Sequence, residues 1–180
     1  ESIDGLILAC SATQRAYPAL SIEVQAALGT GGFAFDMNVA CSSMTFAIEM
    51  ASSLIRTGVC SKVLIVNPEI TTSHLNFRNR DSHFIFGDAA TAVVLEANSE
   101  RKQKQGFKVV SSKLYTSFSN NIRNNTGFFD RISGGIPGSD DRLFYQNGRK
   151  VFKEVSLQVN THLQAHCESL CLDAQSFKRL

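Results

Sequence analysis

The chain has 180 residues, of which 43% are hydrophobic and 19% are charged, and its mean hydropathy is near zero. This composition excludes a disordered chain and supplies enough apolar side chains for a core. Eighteen Lys and Arg residues against sixteen Asp and Glu residues leave a formal charge of +2, so we expect no general nucleic-acid binding. No apolar run approaches the ~20 residues that span a bilayer, and we expect no membrane segment.

The cysteines and the first residues bear on the cellular compartment. Five cysteines stand at irregular spacing in a chain large enough to fold without disulfides, so we expect reduced thiols and a cytoplasmic location. Residues 1–4 (Glu-Ser-Ile-Asp) contain neither an initiator methionine nor the basic-then-apolar pattern of a secretion signal. We interpret the sequence as a piece of a longer protein.

Strand and helix patterns alternate along the amino-proximal part of the chain. Short, continuous apolar runs at 5–10, 33–37 and 63–66 are typical of strands that are buried on both faces. Between them, segments that end at glycines predict helices over 22–28 and 42–57, the second with apolar residues every three or four positions. This order predicts right-handed βαβ units and a parallel sheet covered by helices.

The later elements are less regular. A strand is predicted at 91–96, and its short separation from the apolar run 107–110 predicts an antiparallel hairpin. Residues 117–141 are rich in Asn, Gly and Ser without periodicity, which is typical of a functional flap. From residues 147–148 onward, recurring apolar positions predict one long amphipathic helix.

Cys41 occupies the position that points most directly to chemistry. It falls between the predicted strand 33–37 and the helix that follows, where unpaired N–H groups and the helix dipole favour a thiolate. A sharp strand-to-helix turn exposes the nucleophile in other α/β enzymes, and the backbone N–H of Cys41 is a candidate oxyanion donor. The alternative is a small, buried cysteine that fills the start of a helix.

Four stretches resemble motifs of the β-ketoacyl-acyl-carrier-protein synthase III family, the initiating condensing enzymes of bacterial type II fatty acid synthesis. Residues 38–43 (Asn-Val-Ala-Cys-Ser-Ser) resemble the nucleophile motif of that family. The other three stretches are residues 12–18, 84–90 (Phe-Ile-Phe-Gly-Asp-Ala-Ala) and 147–153 (Asn-Gly-Arg-Lys-Val-Phe-Lys). They match in order and spacing, so the resemblance covers the chain essentially from end to end.

The resemblance implies an α/β, thiolase-like layered fold. In that fold two similar halves, each with a mixed five-stranded sheet, stack so that helices form the middle layer. Residues 1–106 would supply most of the first half, which bears the nucleophile, and residues 107–180 would supply the truncated beginning of the second half. A homodimer is also implied.

The resemblance further implies an acyltransferase reaction in two stages. An acyl group passes from acyl-CoA to Cys41, the catalytic nucleophile. Malonyl-acyl carrier protein then loses carbon dioxide, and its carbanion attacks the acyl group in a Claisen condensation. Coenzyme A enters as part of the substrate, so we expect no cofactor.

Four further residues are implied to contact the acyl substrate. Tyr17 takes the place of the aromatic residue that reaches across the family's dimer into the acyl pocket of the partner subunit. Arg80 falls where the family stacks an arginine on the adenine of coenzyme A, although an exposed loop arginine explains the position equally well. Gly148 and Phe152 are implied to line the substrate tunnel.

A basic cluster at the start of the last helix is a candidate surface for acidic acyl carrier protein. It contains Arg149, Lys150 and Lys153, of which we assign Arg149 and Lys153 to carrier-protein binding. The alternative is that these charges only keep a helix face hydrated.

A metal site on the same helix is not expected. His162 and His166 are four residues apart, and Cys167 and Cys171 repeat that spacing. The two pairs lie about 100° apart on the helical wheel, and no carboxylate motif accompanies them.

The sequence departs from the family in the second stage. The family stabilises charge on the malonyl thioester with a His and an Asn in His-Gln-Ala-Asn and Asn-Thr-Ser contexts, and neither context occurs here. The residues that the resemblance requires are expected beyond Leu180, so we expect this polypeptide alone not to condense. Alternatives are a polyketide-type or hydroxymethylglutaryl-type synthase, a non-catalytic, truncated thiolase-fold subunit, and a thioester hydrolase that uses Cys41.

Overall fold

The computed structural model describes residues 2–98, 106–124 and 143–177. The chain forms two compact units, one of residues 1–72 with 87–110 and one of residues 73–86 with 111–180. The two units are defined by their internal contacts, which do not show whether the chain contains two similar halves. The predicted division into thiolase-like halves at residue 106 therefore stays a prediction.

The first unit alternates strands and helices along the chain. Its elements are β1 (Gly5–Ala9), α1 (Leu20–Leu28), β2 (Phe33–Met37), α2 (Ser43–Arg56), β3 (Lys62–Glu69) and β4 (Ala89–Glu96). They build one mixed sheet of order β2-β1-β3-β4, in which β1 is parallel to both neighbours and β4 is antiparallel to β3. The predicted parallel βαβ arrangement is confirmed. The described part of this sheet has four strands, where the resemblance implies five.

β1 forms the centre of the core of this unit, and all five of its residues are buried. Ile7 and Ala9 pack on the side of α2, whereas Leu6 and Leu8 pack on the side of α1. Because successive side chains of a strand point to opposite faces, a strand covered on both faces needs an apolar residue at every position. This requirement explains the unbroken apolar run in the sequence.

Gly32 allows β2 to begin directly beside the residue that precedes β1. Its φ is +81°, and a Cβ atom at this position would lie 1.8 Å from the carbonyl oxygen of Asp4. The same oxygen accepts a hydrogen bond of 3.2 Å from the backbone N–H of Phe33, the first residue of β2. Only glycine combines this backbone angle with this close approach.

The predicted hairpin between residues 91–96 and 107–110 is wrong. β4 pairs with β3 along its full length, from Ala89 opposite Glu69 to Glu96 opposite Lys62, and residues 107–110 are not in a strand. Pairing with β3 places Val93 and Leu95 of β4 against the core cluster, and the other edge of β4 has no partner strand among the described residues. The apolar side chains of Phe107, Val109 and Val110 are exposed, so they bury no surface that would stabilise a further strand.

The described residues of the second unit form one long helix and a short antiparallel pair. Its elements are β5 (Ile122–Arg123), β6 (Tyr145–Gln146) and α3 (Gly148–Ser169). The Asn147 side chain accepts a hydrogen bond from the backbone N–H of Lys150 and caps α3, as the predicted helix start requires. Short 3₁₀ turns lie at Thr71–His74 and Ala174–Ser176. Most of the predicted flap, residues 125–141, lies outside the described residues.

Candidate active site

Cys41 lies at the predicted junction between β2 and α2. It directly precedes Ser42, which occupies the N-cap position of α2 without a side-chain capping bond, and Cys41 is exposed to solvent. This exposure excludes the alternative of a buried cysteine that fills a helix start. The thiol is thus open to a reagent and stands next to the unpaired N–H groups of the first helical turn.

The turn that carries Cys41 has an unusual backbone. Ala40 has a φ of +47°, in the left-handed region that residues with a Cβ rarely adopt. The turn closes through two hydrogen bonds of 3.1 Å, from the N–H of Ser42 to the oxygen of Val39 and from the N–H of Ser43 to the oxygen of Ala40. A left-handed alanine costs on the order of 1 kcal/mol, so the surroundings must hold this conformation.

Two polar side chains supply that support. The Oδ1 atom of Asn38 accepts a hydrogen bond of 2.9 Å from the N–H of Ala40. The hydroxyl of Ser43, which is buried, accepts a bond of 2.8 Å from the N–H of Val39 and lies 2.7 Å from the carbonyl oxygen of Ala40. Sequence reasoning did not assign a role to either residue. The signal was available, because Asn before a helix and Ser at its first residue favour such side-chain-to-backbone bonds.

The other four cysteines range from buried (Cys10 and Cys60) through intermediate (Cys167) to exposed (Cys171). Cys10 and Cys60 have exposed fractions of 1% and 8%, which confirms both as core residues. Burial raises the pKa of both thiols, with a further contribution from the Glu69 carboxylate at Cys10. Cys171 is exposed, as Cys41 is. These differences make the cysteines internal reporters for thiol reagents.

Tyr17 lies in the first unit, between β1 and α1, as does the turn of Cys41. Its side chain is 84% exposed. An aromatic ring that is exposed to this degree is available to a partner surface. Its role at a subunit interface stays a prediction.

The other predicted substrate and carrier residues lie in the second unit. Arg80 is exposed in a turn. Gly148 and Phe152 are four residues apart at the start of α3 and therefore share one of its faces, and Arg149 and Lys153 share the adjacent face. The structure thus brings these four helix residues together, and their roles stay predictions.

The described residues contain no group of three or more His, Cys, Asp or Glu side chains that could hold a metal ion. Among the same residues, no helix is both long and apolar enough to cross a membrane.

Comparisons with known proteins identify relatives for almost the whole chain. A family profile for 3-oxoacyl-(acyl-carrier-protein) synthase III matches residues 35–117, which include Cys41. A β-ketodecanoyl-(acyl-carrier-protein) synthase from Pseudomonas aeruginosa is 54% identical over 177 residues, or 98% of this chain and 51% of that protein. A β-ketoacyl-(acyl-carrier-protein) synthase III from Acidiphilium cryptum is 34% identical over 156 residues, or 85% of this chain and 46% of that protein.

A solved structure extends the comparison to the fold. The crystal structure of 3-oxoacyl-(acyl carrier protein) synthase III from Pseudomonas aeruginosa matches with a TM-score of 0.79 at 23% identity, over 95% of this chain and 52% of that chain. The fold is therefore thiolase-like. The resemblance of the chain to the β-ketoacyl-acyl-carrier-protein synthase III family is confirmed, and this chain spans about half the length of the curated relatives that it matches.

Proposed function

We propose that this chain carries the nucleophile of an acyltransferase that condenses an acyl group with malonyl-acyl carrier protein in fatty acid synthesis. One observation carries the proposal. Cys41 is exposed, follows the left-handed residue Ala40 and lies just before α2. It also lies inside the segment that matches the synthase III profile. Similarity in sequence to named condensing enzymes supports the same reaction class.

The geometry suits acyl transfer to sulfur. The Sγ atom of Cys41, as a thiolate, attacks the carbonyl carbon of an acyl-CoA thioester and forms a new carbon–sulfur bond. The bond from that carbon to coenzyme A breaks, and coenzyme A leaves as a thiolate that takes up a proton. In the second stage malonyl-acyl carrier protein loses carbon dioxide, its carbanion attacks the acyl carbon, and the Cys41 thiolate leaves.

The name of the 54% identical relative suggests the length of the acyl group. That protein is called a β-ketodecanoyl synthase, so its product carries ten carbons. Decarboxylative condensation with malonyl adds two carbons, and an eight-carbon acyl group is therefore the matching primer. Because identity to this relative exceeds the 34% identity to the synthase III from Acidiphilium cryptum, we infer an octanoyl-type acyl-CoA as the substrate.

The proposal includes the substrate contacts that the resemblance implies. Tyr17 would shape the acyl pocket of the partner subunit in a homodimer, and Arg80 would stack on coenzyme A. Gly148 and Phe152 would line the substrate tunnel. No cofactor is required, and a cytoplasmic location fits the reduced cysteines.

The same proposal assigns the basic face of α3 to the carrier protein. Arg149 and Lys153 are exposed on that face, four residues apart, where they can meet an acidic surface.

The alternatives fit the observations less well. The names of the curated relatives favour fatty acid synthesis over a polyketide-type or hydroxymethylglutaryl-type synthase. A non-catalytic subunit predicts a sulfur without access to solvent, whereas the side chain of Cys41 is exposed. A hydrolase would release the acyl group without a malonyl acceptor, so a stable acyl-protein contradicts it.

A chain-length series of acyl-CoA thioesters tests the proposal. The wild-type chain is incubated separately with acetyl-, octanoyl- and palmitoyl-CoA, and intact mass gives the rate of acyl-protein formation. We expect one acyl group per chain, formed fastest from octanoyl-CoA, in wild type and in Cys171→Ser, and none in Cys41→Ser. Faster transfer from acetyl-CoA would contradict the proposed chain length. An acyl group that persists in Cys41→Ser would contradict the nucleophile.

A further inference from the structure

We propose that Glu69, Ser11 and Asn38 form a hydrogen-bonded chain that holds the Cys41 turn in the geometry for acyl transfer. Asn38 and Glu69 are then positioning residues of the reaction. This inference rests on the proposed function, in which Cys41 accepts the acyl group, and deepens it by naming what orients the sulfur.

The parallel strands bring the three residues to one edge of the sheet. β1, β2 and β3 run in the same direction, so their carboxyl ends meet there. Ser11 follows β1 closely, Asn38 comes directly after β2, and Glu69 is the last residue of β3. Cys41 lies three residues beyond Asn38, so the turn of the nucleophile begins at this edge.

The first link joins β3 to the segment after β1. The Oε1 atom of Glu69 accepts a hydrogen bond of 2.9 Å from the backbone N–H of Ser11, and its Oε2 atom accepts one of 2.5 Å from the Ser11 hydroxyl. Both oxygens of one carboxylate are thus engaged by a single residue. Bonds to an ionised carboxylate are shorter and stronger than bonds between neutral groups, so Ser11 is held firmly at both its backbone and its side chain.

The second link joins Ser11 to the turn itself. The carbonyl oxygen of Ser11 accepts a hydrogen bond of 2.9 Å from Nδ2 of Asn38, and Oδ1 of Asn38 accepts one of 2.9 Å from the N–H of Ala40. The two ends of one amide therefore connect the sheet edge to the left-handed residue before Cys41. A conformation that strains an alanine needs such fixed partners.

The exposure of the turn makes it possible to distinguish an effect on the position of Cys41 from an effect on folding. Asn38, Ala40 and Cys41 are all exposed, so removing the Asn38 amide takes no packing away from the core. The core cysteines Cys10 and Cys60 report whether the fold is intact. A loss of acyl transfer with both core thiols protected therefore reflects the orientation of Cys41.

The chemistry sets the expected size of the effect. A displacement of the reacting atom by about 1 Å lowers the rate of a positioned reaction by about 100-fold. Freeing one side of the turn moves the sulfur by less, and we expect about a tenfold lower maximum rate of acylation in Asn38→Ala. The acyl-CoA concentration that gives half-maximal rate should not change, because Asn38 is placed to bind the turn and not the substrate.

Three variants of the full chain separate the links. Asn38→Ala removes both bonds of the amide. Asn38→Asp keeps an acceptor for the N–H of Ala40 and loses the donor to Ser11, so its rate should lie between those of Asn38→Ala and wild type. Glu69→Gln replaces one acceptor oxygen of the carboxylate and should slow acylation severalfold. Asn160→Ala makes the same chemical change as Asn38→Ala at an exposed position of α3 and should acylate at the wild-type rate.

Each sample is measured in two ways: the acylation rate of Cys41 across octanoyl-CoA concentrations, and the iodoacetamide labelling rate of each cysteine by peptide mass spectrometry. The proposal predicts that Asn38→Ala slows the acylation of Cys41, while Cys41 and Cys171 remain open to iodoacetamide and Cys10 and Cys60 stay protected. A wild-type acylation rate in Asn38→Ala would overturn the positioning role, as would slow acylation accompanied by labelling of Cys10 and Cys60. If wild-type Cys41 accepts no acyl group, the proposed function fails and the positioning role fails with it, whereas acylation that Asn38→Ala leaves unchanged overturns the positioning role alone.

Discussion

The Oδ1 atom of Asp36 accepts a hydrogen bond of 2.8 Å from the backbone N–H of Ser21, which joins the penultimate residue of β2 to the first turn of α1. The other carboxylate oxygen accepts a bond of 2.9 Å from the N–H of Leu20. The residue at the cap position, Ala19, offers no side-chain acceptor of its own. A carboxylate from the neighbouring strand therefore caps α1, where negative charge also suits the helix dipole.

Removing this cap should destabilise the first unit. We expect Asp36→Ala to lower the free energy of unfolding by about 1 kcal/mol, the usual cost of losing a helix cap. Asp36→Asn keeps one acceptor oxygen and should cost less. Urea denaturation followed by circular dichroism measures both values, and an Asp36→Ala variant as stable as wild type would show that the cap contributes nothing.

A methyl group at Gly32 should be far more damaging than one at Gly29. In Gly32→Ala the new Cβ would overlap the carbonyl oxygen of Asp4, so we expect a loss of about 3 kcal/mol or more in the free energy of unfolding. Gly29 also has a positive φ but has no atom within 4 Å of a Cβ, so Gly29→Ala should cost only about 1 kcal/mol. Comparison of the two variants separates the steric clash from the backbone strain that both share. Similar urea midpoints for both variants would contradict the predicted clash at Gly32.

The strain at Ala40 should show in a matched pair of substitutions. Ala40→Val places a β-branched side chain in the left-handed region and should lower the free energy of unfolding by about 1–2 kcal/mol. Ala40→Gly relieves the strain and should be neutral or slightly stabilising, because the gain offsets the greater entropy of the unfolded chain. Denaturation midpoints give the order of stability. We expect Ala40→Gly to be at least as stable as wild type and Ala40→Val to be less stable than wild type. A valine variant as stable as wild type would show that the turn is not strained.

Asp88 should make the stability of the first unit depend on acidic pH. The hydroxyl of Thr72 and then its backbone N–H donate to the Asp88 carboxylate, at 2.6 and 2.9 Å, and hold the pKa of that carboxyl below its ordinary value. A lowered folded-state pKa means that this pair stabilises the fold at pH values above the unfolded pKa of about 3.9. The contribution is lost as the pH falls through the folded-state pKa.

The measurement compares urea midpoints of wild type and Asp88→Asn between pH 6 and pH 2. The advantage of wild type over Asp88→Asn should be present at pH 6 and disappear toward pH 2. Thr72→Val, which removes the hydroxyl donor, should show a smaller pH-dependent contribution. A difference between wild type and Asp88→Asn that stays constant with pH would contradict the assignment.

The parts of the fold that the sequence predicted are those that depend on neighbours along the chain. The apolar run of β1 and the helical periodicity of α2 follow directly from burial on two faces or one. The absence of a strand at 107–110 did not follow, because strand formation depends on burial in the folded chain and these residues stay exposed. The apolar pattern of a segment does not show whether its side chains become buried.

The same distinction applies to the candidate site. Cys41 was found because its position before a helix is visible in the sequence. The link between Asn38 and Ser11 joins residues 27 positions apart, and that between Ser11 and Glu69 joins residues 58 positions apart. Only the parallel pairing of three strands brings these residues together, so no pattern within a single segment predicts their contacts.

The most direct test of the central claim locates the acyl group on the chain. Wild-type protein is treated with octanoyl-CoA, digested, and analysed by peptide mass spectrometry with and without hydroxylamine, which cleaves thioesters. We expect one hydroxylamine-sensitive octanoyl group on the peptide that contains Cys41, with Cys171 unmodified although it is also exposed. A folded protein in which Cys41 remains a free thiol, or in which both exposed cysteines are acylated alike, would contradict it.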